Sequence, residues 1–174
     1  WFAAEAGRAY FAANRWEEAG RWFNLALAES GTDLEAQQAA VQLWPLVALS
    51  GEKIEVDEDM LDAWWEYQGS PLGPTTHQRG ALLLTLLAAT GHEISSEQWD
   101  ALLAGPLIEP SAVTSPALRH ALSAAADNGR IGETVLLALL GLGSGGPQNS
   151  GVATLGETIS ALRAAGLVLD AHAI

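Results

Sequence analysis

The chain has 174 residues, 49% of them apolar and only 17% charged, with 8 Lys and Arg against 21 Asp and Glu for a net charge of −13. That length suffices for a sizeable core, while a uniformly negative field repels phosphate backbones and anionic lipid heads and argues against nucleic acid as a partner. Cysteine is absent, which excludes disulfides, zinc ribbons and thiol catalysis within this segment.

The chain opens at Trp1, without a Met or a capping residue, and reads as already helical. Helices are expected over 1–13 and 16–29, separated at Asn14. Trp16, Ala19, Trp22, Phe23, Ala26 and Leu27 recur at spacings of three and four, one face of a helix. That stripe places Trp16 and Trp22 in the core. A third helix is expected over 33–49, with Pro45 inside it as a kink, because proline removes one backbone bond and crowds the preceding turn.

The acidic run "EKIEVDEDMLD" leads into a helix over 57–68. Its carboxylates invite a cation site, but a calcium loop counted from Asp57 puts Asp62 where glycine is required and Gln68 where glutamate is. Acids gathered at a helix N-terminus, favoured by the dipole, explain the run. Trp64 and Trp65 point about 100° apart on that helix, so only one can face the centre of a core stripe.

Helices over 76–90 and 96–104 flank "HEISS" (92–96). This approaches a zinc-protease motif, but Ser96 stands where the second histidine belongs, and the pair sits at a turn. Ser95 and Gln98 instead fit a capping box. Helices over 115–128 and 131–142 follow, with Leu118, Ala121, Leu122 and Ala125 on one face. "GLGSGG" (141–146) spells a dinucleotide-binding fingerprint, yet a helix precedes it and Pro147 follows, so it reads as a linker. Helices over 152–165 and 167–174 complete the chain. The apolar runs 81–89 and 135–143 fall well short of the roughly 20 residues of a membrane span, and strand signals are nearly missing.

The breaks form two interleaved ladders. Asn14, Gly51, Gly91, Gly129 and Gly166 lie 37, 40, 38 and 37 residues apart, and the longer breaks between them keep the same period of about 38. "NRWEEA" (14–19), "GRIGET" (129–134) and "GLVLDA" (166–171) superpose without gaps. Each has a large apolar residue two after the turn, an acid at the helix start, and then a small residue that lets two helices approach closely. The expected fold is all-α, a right-handed α-α superhelix (α-solenoid) of about five helical hairpins. They lie near 1–29, 33–68, 76–104, 115–142 and 152–174, in one repeat domain that continues into a longer chain.

The opening stretch resembles a tetratricopeptide repeat. Gly7, Tyr10, Ala19, Phe23 and Ala26 stand at that family's spacing, while Ala3, Ala6 and Gly31 replace its Trp, Leu and Pro. The match covers residues 1–31; the other hairpins have a longer period and resemble looser tetratricopeptide-like or HEAT-like superhelices. The resemblance implies an α-solenoid that binds proteins or peptides on a concave face.

The expected function is a non-catalytic scaffold for a protein or peptide, basic if charged, with no cofactor, metal or catalytic set. The first helix of each hairpin would line the inner face. Arg8, Tyr10 and Phe11 are the most contact-like residues of the opening hairpin, and Trp64 and Trp65 are further candidates. Two alternatives stand beside this: the superhelical arm of a larger enzyme, such as a bacterial cell-wall lytic enzyme, or a homo-oligomerisation segment using Trp64 and Trp65. A single lysine, Lys53, amid many Ala, Leu and Gly matches a GC-rich bacterial genome. Cytoplasm and periplasm are equally compatible.

Overall fold

A computed structural model describes residues 2–50, 57–69, 73–106 and 114–174. Trp1, the turn at Gly51, Glu52 and Glu55 of the acidic run, and the middles of two longer connections lie outside the described residues. Among the described residues there are ten α-helices and no strand. They are α1 (Ala3–Ala12), α2 (Trp16–Glu29), α3 (Leu34–Leu49), α4 (Glu58–Gln68), α5 (Pro74–Ala89), α6 (Ser96–Leu103), α7 (Pro116–Asp127), α8 (Ile131–Leu142), α9 (Val152–Ala164) and α10 (Val168–Ala173). Every boundary falls within two residues of its expected place. The protein is thus all-α. No helix among the described residues is long and apolar enough to cross a membrane.

Local chemistry sets the helix starts. The Asp33 side chain accepts from the backbone N–H groups of Glu35 and Ala36, and Asp57 accepts from Asp59, so two aspartates cap α3 and α4. Glu58 and Asp59 occupy the first turn of α4, where the dipole favours them. At α6 the Gln98 side chain accepts the Ser95 N–H at 3.2 Å, completing the capping box. Pro74 and Pro116 open α5 and α7, where the missing N–H costs nothing. Helix α3 continues through Pro45 to Leu49.

Four inner turns share one structure. Asn14, Gly91, Gly129 and Gly166 have φ of 55°, 91°, 65° and 85°. In each, the next residue donates its N–H to the carbonyl five positions back: Arg15 to Tyr10, His92 to Leu87, Arg130 to Ala125 and Leu167 to Leu162, at 2.9 to 3.0 Å. The turn residue itself donates three back, to Phe11, Ala88, Ala126 and Arg163. This is the Schellman arrangement, which satisfies the last carbonyls of a helix and requires a left-handed residue. Five residues after three of these turns, Ala19, Thr134 and Ala171 are buried, the small positions of the superposed segments.

The large apolar residue two after the turn sits differently from expectation. Trp16 is 38% exposed, and Ile131 and Val168 are exposed as well. Trp22 is half-buried. The buried stripe of α2 is Ala19, Gly20, Phe23 and Ala26, and the two tryptophans lie at its margins. There they pack edge-on against other rings: Trp16 on Phe11 at 5.7 Å and Trp22 on Phe2 at 6.3 Å. Their core assignment is therefore corrected: a helical stripe defined by spacing is wider than the strip that a small-residue neighbour covers.

The chain divides into two compact units, Trp1–Thr76 and His77–Ile174. In the first, α1 packs on α2 and α3, α2 on α3, and α3 on α4. Gly7 makes the α1–α3 approach possible: a Cβ there would lie 2.6 Å from the Leu43 side chain. Arg8 Nη1 also donates to Gln42 Oε1 at 2.7 Å across the same pair. Leu43, Trp44, Val47 and Leu61 are almost wholly buried, each contributing about 1.5–3 kcal/mol by leaving water.

In the second unit, α7 packs on α8 and α9, α8 on α9, and α9 on α10, the same order of contacts as in the first. Its core joins Ala89 of α5 with Leu122, Ala126, Ala138, Ile159 and Leu162. Helix α9 also touches α5, where Gly156 lies against the Thr85 side chain and Arg163 Nη1 donates to the Ala89 carbonyl. Helices α5, α7 and α9 all line one common space.

Candidate functional site

That space is a groove of about 1000 Å³, at the upper end of the range for small-ligand pockets. Each helix gives it one stripe at helical spacing: Thr85, Ala88 and Ala89 from α5; Pro116, Arg119, Ser123 and Ala126 from α7; Ala153, Gly156, Ser160 and Ala164 from α9. Most of these side chains are small. The floor is thus neutral and shallow, and permits close approach of another backbone. Trp99 of α6, exposed by about a third of its surface, stands at the edge, an aromatic anchor of the kind that dominates binding energies.

Polar groups mark the walls. Arg119 Nη2 pairs with Glu157 Oε1 at 2.5 Å, joining α7 to α9. Both are substantially exposed, so the pair positions more than it stabilises. Ser123 Oγ donates weakly to Asp127 at 3.4 Å. Thr114 and Thr154 share a hydrogen bond of 2.6 Å that ties the approach to α7 onto α9. His120 also lines the groove. Among the described residues no hydrogen bond links it to Ser123 or Ser160, and no group of three or more His, Asp or Glu is placed to hold a metal ion. With Arg119 engaged by Glu157, Asp127 is, among the described residues, the wall charge without an opposite partner in the groove. The arrangement can seat an apolar surface and accept a cation beside it.

The residues singled out in the sequence lie elsewhere, in the first unit. Arg8 is exposed and bonds Gln42 and Glu5. Tyr10 is half-buried under the Arg15 guanidinium, 4.8 Å from its ring centre. Phe11 is buried against Trp16. Trp64 is 7% exposed and Trp65 half-buried, their rings edge-to-face at 5.4 Å, which divides the pair between core and surface as their angular offset requires. Of these five, Arg8, Tyr10 and Trp65 offer accessible surface.

The groove residues were missed because none belongs to a motif. Their signal was the polar side of α7, where Arg119, His120, Ser123 and Asp127 recur at spacings of three and four. Comparison of the chain with protein-family models, curated proteins and solved structures finds no match.

Proposed function

We propose that the protein is a non-catalytic scaffold that binds a protein or peptide, built on a tetratricopeptide-like superhelix of stacked hairpins. The groove among α5, α7 and α9 carries this reading. It is lined by the first helices of three of the expected hairpins, and its small-residue floor and aromatic edge suit a packed peptide better than a reacting small molecule. The four equivalent turns and the matching order of helix contacts in both units support a repeated hairpin. Asp127 and the chain's net charge of −13 favour a partner with basic residues beside its apolar face.

A random peptide library selected on the purified chain tests this reading. Ser123 and Ser160 line the groove and are exposed, so Ser123→Trp and Ser160→Trp fill it without touching the core. Enriched peptides should carry basic residues and bind these variants at least tenfold more weakly. Absence of enrichment, or equal binding to the filled variants, counts against it.

A further inference from the structure

Helix α8 presents a second feature, independent of the groove. Its buried side is Thr134 and Ala138. On the opposite side Leu136, Leu139 and Leu140 are 69%, 60% and 66% exposed. Scattered exposed leucines are ordinary, but here the protein supplies its own reference. Aligned on their turns, Asn14 and Gly129, helices α2 and α8 superpose without gaps, and their burial follows the same order: Ala19 with Thr134 and Phe23 with Ala138 buried, Trp22 with Leu137 half-buried. The outward positions filled by Leu136 and Leu139 in α8 hold Arg21 and Asn24 in α2. A hairpin of this shape therefore needs no leucine at 136 or 139, whereas Leu140 has an exposed counterpart in Leu25 of α2. Leu136 and Leu139 thus make the outward face of α8 more apolar than the fold of the hairpin requires.

The pattern on that face is self-complementary. Gly132, Leu136 and Leu140 form one ridge at spacing four. Two copies of α8 crossing antiparallel about Leu136 would set each Leu140 over the Gly132 of the other. A Cβ built on Gly132 meets nothing within 4 Å, so that hollow is open. Knob and hole thus come from one helix, as a two-fold interface requires. Charge points the same way. Copies with a net charge of −13 repel each other, yet the one ionisable side chain of α8, Glu133, is paired with Arg130 at 2.8 Å.

We propose that the outward face of α8 is a self-association surface, on which a second copy of this chain packs its own α8 antiparallel about Leu136. The ridge spans only about two helical turns, roughly 12 Å of helix, a short contact compared with a standard interface that buries roughly 800 Å² per partner. The dimer is therefore weak and depends on concentration.

Sedimentation velocity over a concentration series tests this. The chain should shift from monomer to dimer. Leu136→Arg with Leu139→Asn, the side chains that α2 carries at these positions, should leave helicity and melting temperature unchanged and hold the chain monomeric. Because the chain has no cysteine, Leu136→Cys gives a second readout: oxidation should yield a covalent dimer, while Leu25→Cys on α2 should not. A wild-type chain that stays monomeric overturns the proposal, whatever other partner covers the leucines. So does a dimer that survives the double substitution, or oxidative cross-linking of the Leu136→Cys variant no greater than that of the Leu25→Cys variant.

Discussion

Arg163 Nη1 donates a hydrogen bond of 2.8 Å to the carbonyl of Ala89, 74 positions away in the chain. Ala89 is the last residue of α5, so the side chain of one helix satisfies the exposed end of another and places a cation at its negative pole. The guanidinium also lies under the backbone of Gly91, where an added methyl group would come within 2.5 Å of it. One arginine thereby fixes where α5 ends relative to α9, which sets one wall of the groove.

Arg163→Met should keep the packing of the aliphatic stem and lose the charge-assisted bond, costing about 1.5–3 kcal/mol in urea denaturation. Gly91→Ala should cost about 1–2 kcal/mol through its left-handed backbone alone and more through the clash. Combined with Arg163→Ala, which removes the clashing atoms, the substitution at Gly91 should cost less than it does alone. Strict additivity of the two would show that the contact does not bear on stability.

The close approach of α1 and α3 makes a second prediction. Leu43 is fully buried and has no room to withdraw from a new methyl group. Gly7→Ala should therefore destabilise by about 1–3 kcal/mol, despite alanine's better helix propensity. Gly31→Ala, where a Cβ meets nothing within 4 Å, is the matched control and should be near neutral. Equal effects on the unfolding midpoint would contradict the α1–α3 packing.

Glu18 titrates with a definite sign. A hydrogen bond from Arg15, Nε to Oε1 at 2.9 Å, is the largest influence holding its carboxyl below the usual value. The ionised form is therefore favoured more in the folded protein than in the unfolded chain. That contribution is present above the ordinary glutamate pKa of about 4.3 and fades as the pH falls through the lowered folded value. Glu18→Gln should lower the melting temperature slightly at neutral pH and match wild type at about pH 2. Because both side chains lie at the surface, added salt should shrink the difference.

The turn residues differ in one respect: Asn14 is the only non-glycine with positive φ among the described residues. Asn14→Ala should cost about 1 kcal/mol, whereas Asn14→Gly should be tolerated. A melting series on the two variants checks this, and equal loss from both would mean that the side-chain amide, not the backbone, matters at this turn.

The helices and turns were legible because their determinants are local. A glycine or asparagine in the left-handed region, an aspartate at an N-cap and apolar spacing near 3.6 each act over a few residues. The groove was not legible, since Thr85, Arg119 and Glu157 meet only through folding and none belongs to a short motif. The tryptophans misled for a related reason. Spacing puts Trp16 on the apolar side of α2, but burial depends on what packs opposite, and there the small Ala19 holds the centre. In α8 the sequence is apolar on nearly every side, so periodicity does not reveal which face points outward; burial of Thr134 and Ala138 in the folded chain does.

We propose that α5, α7 and α9 together form a peptide-binding groove. Amide hydrogen exchange on the chain, with and without a peptide enriched from the library, tests it most directly. Protection gathered on the segments bearing Ala88, Ser123 and Ser160 is the predicted result. Protection confined to the first unit or to α8, or none at peptide concentrations that saturate binding, would contradict it.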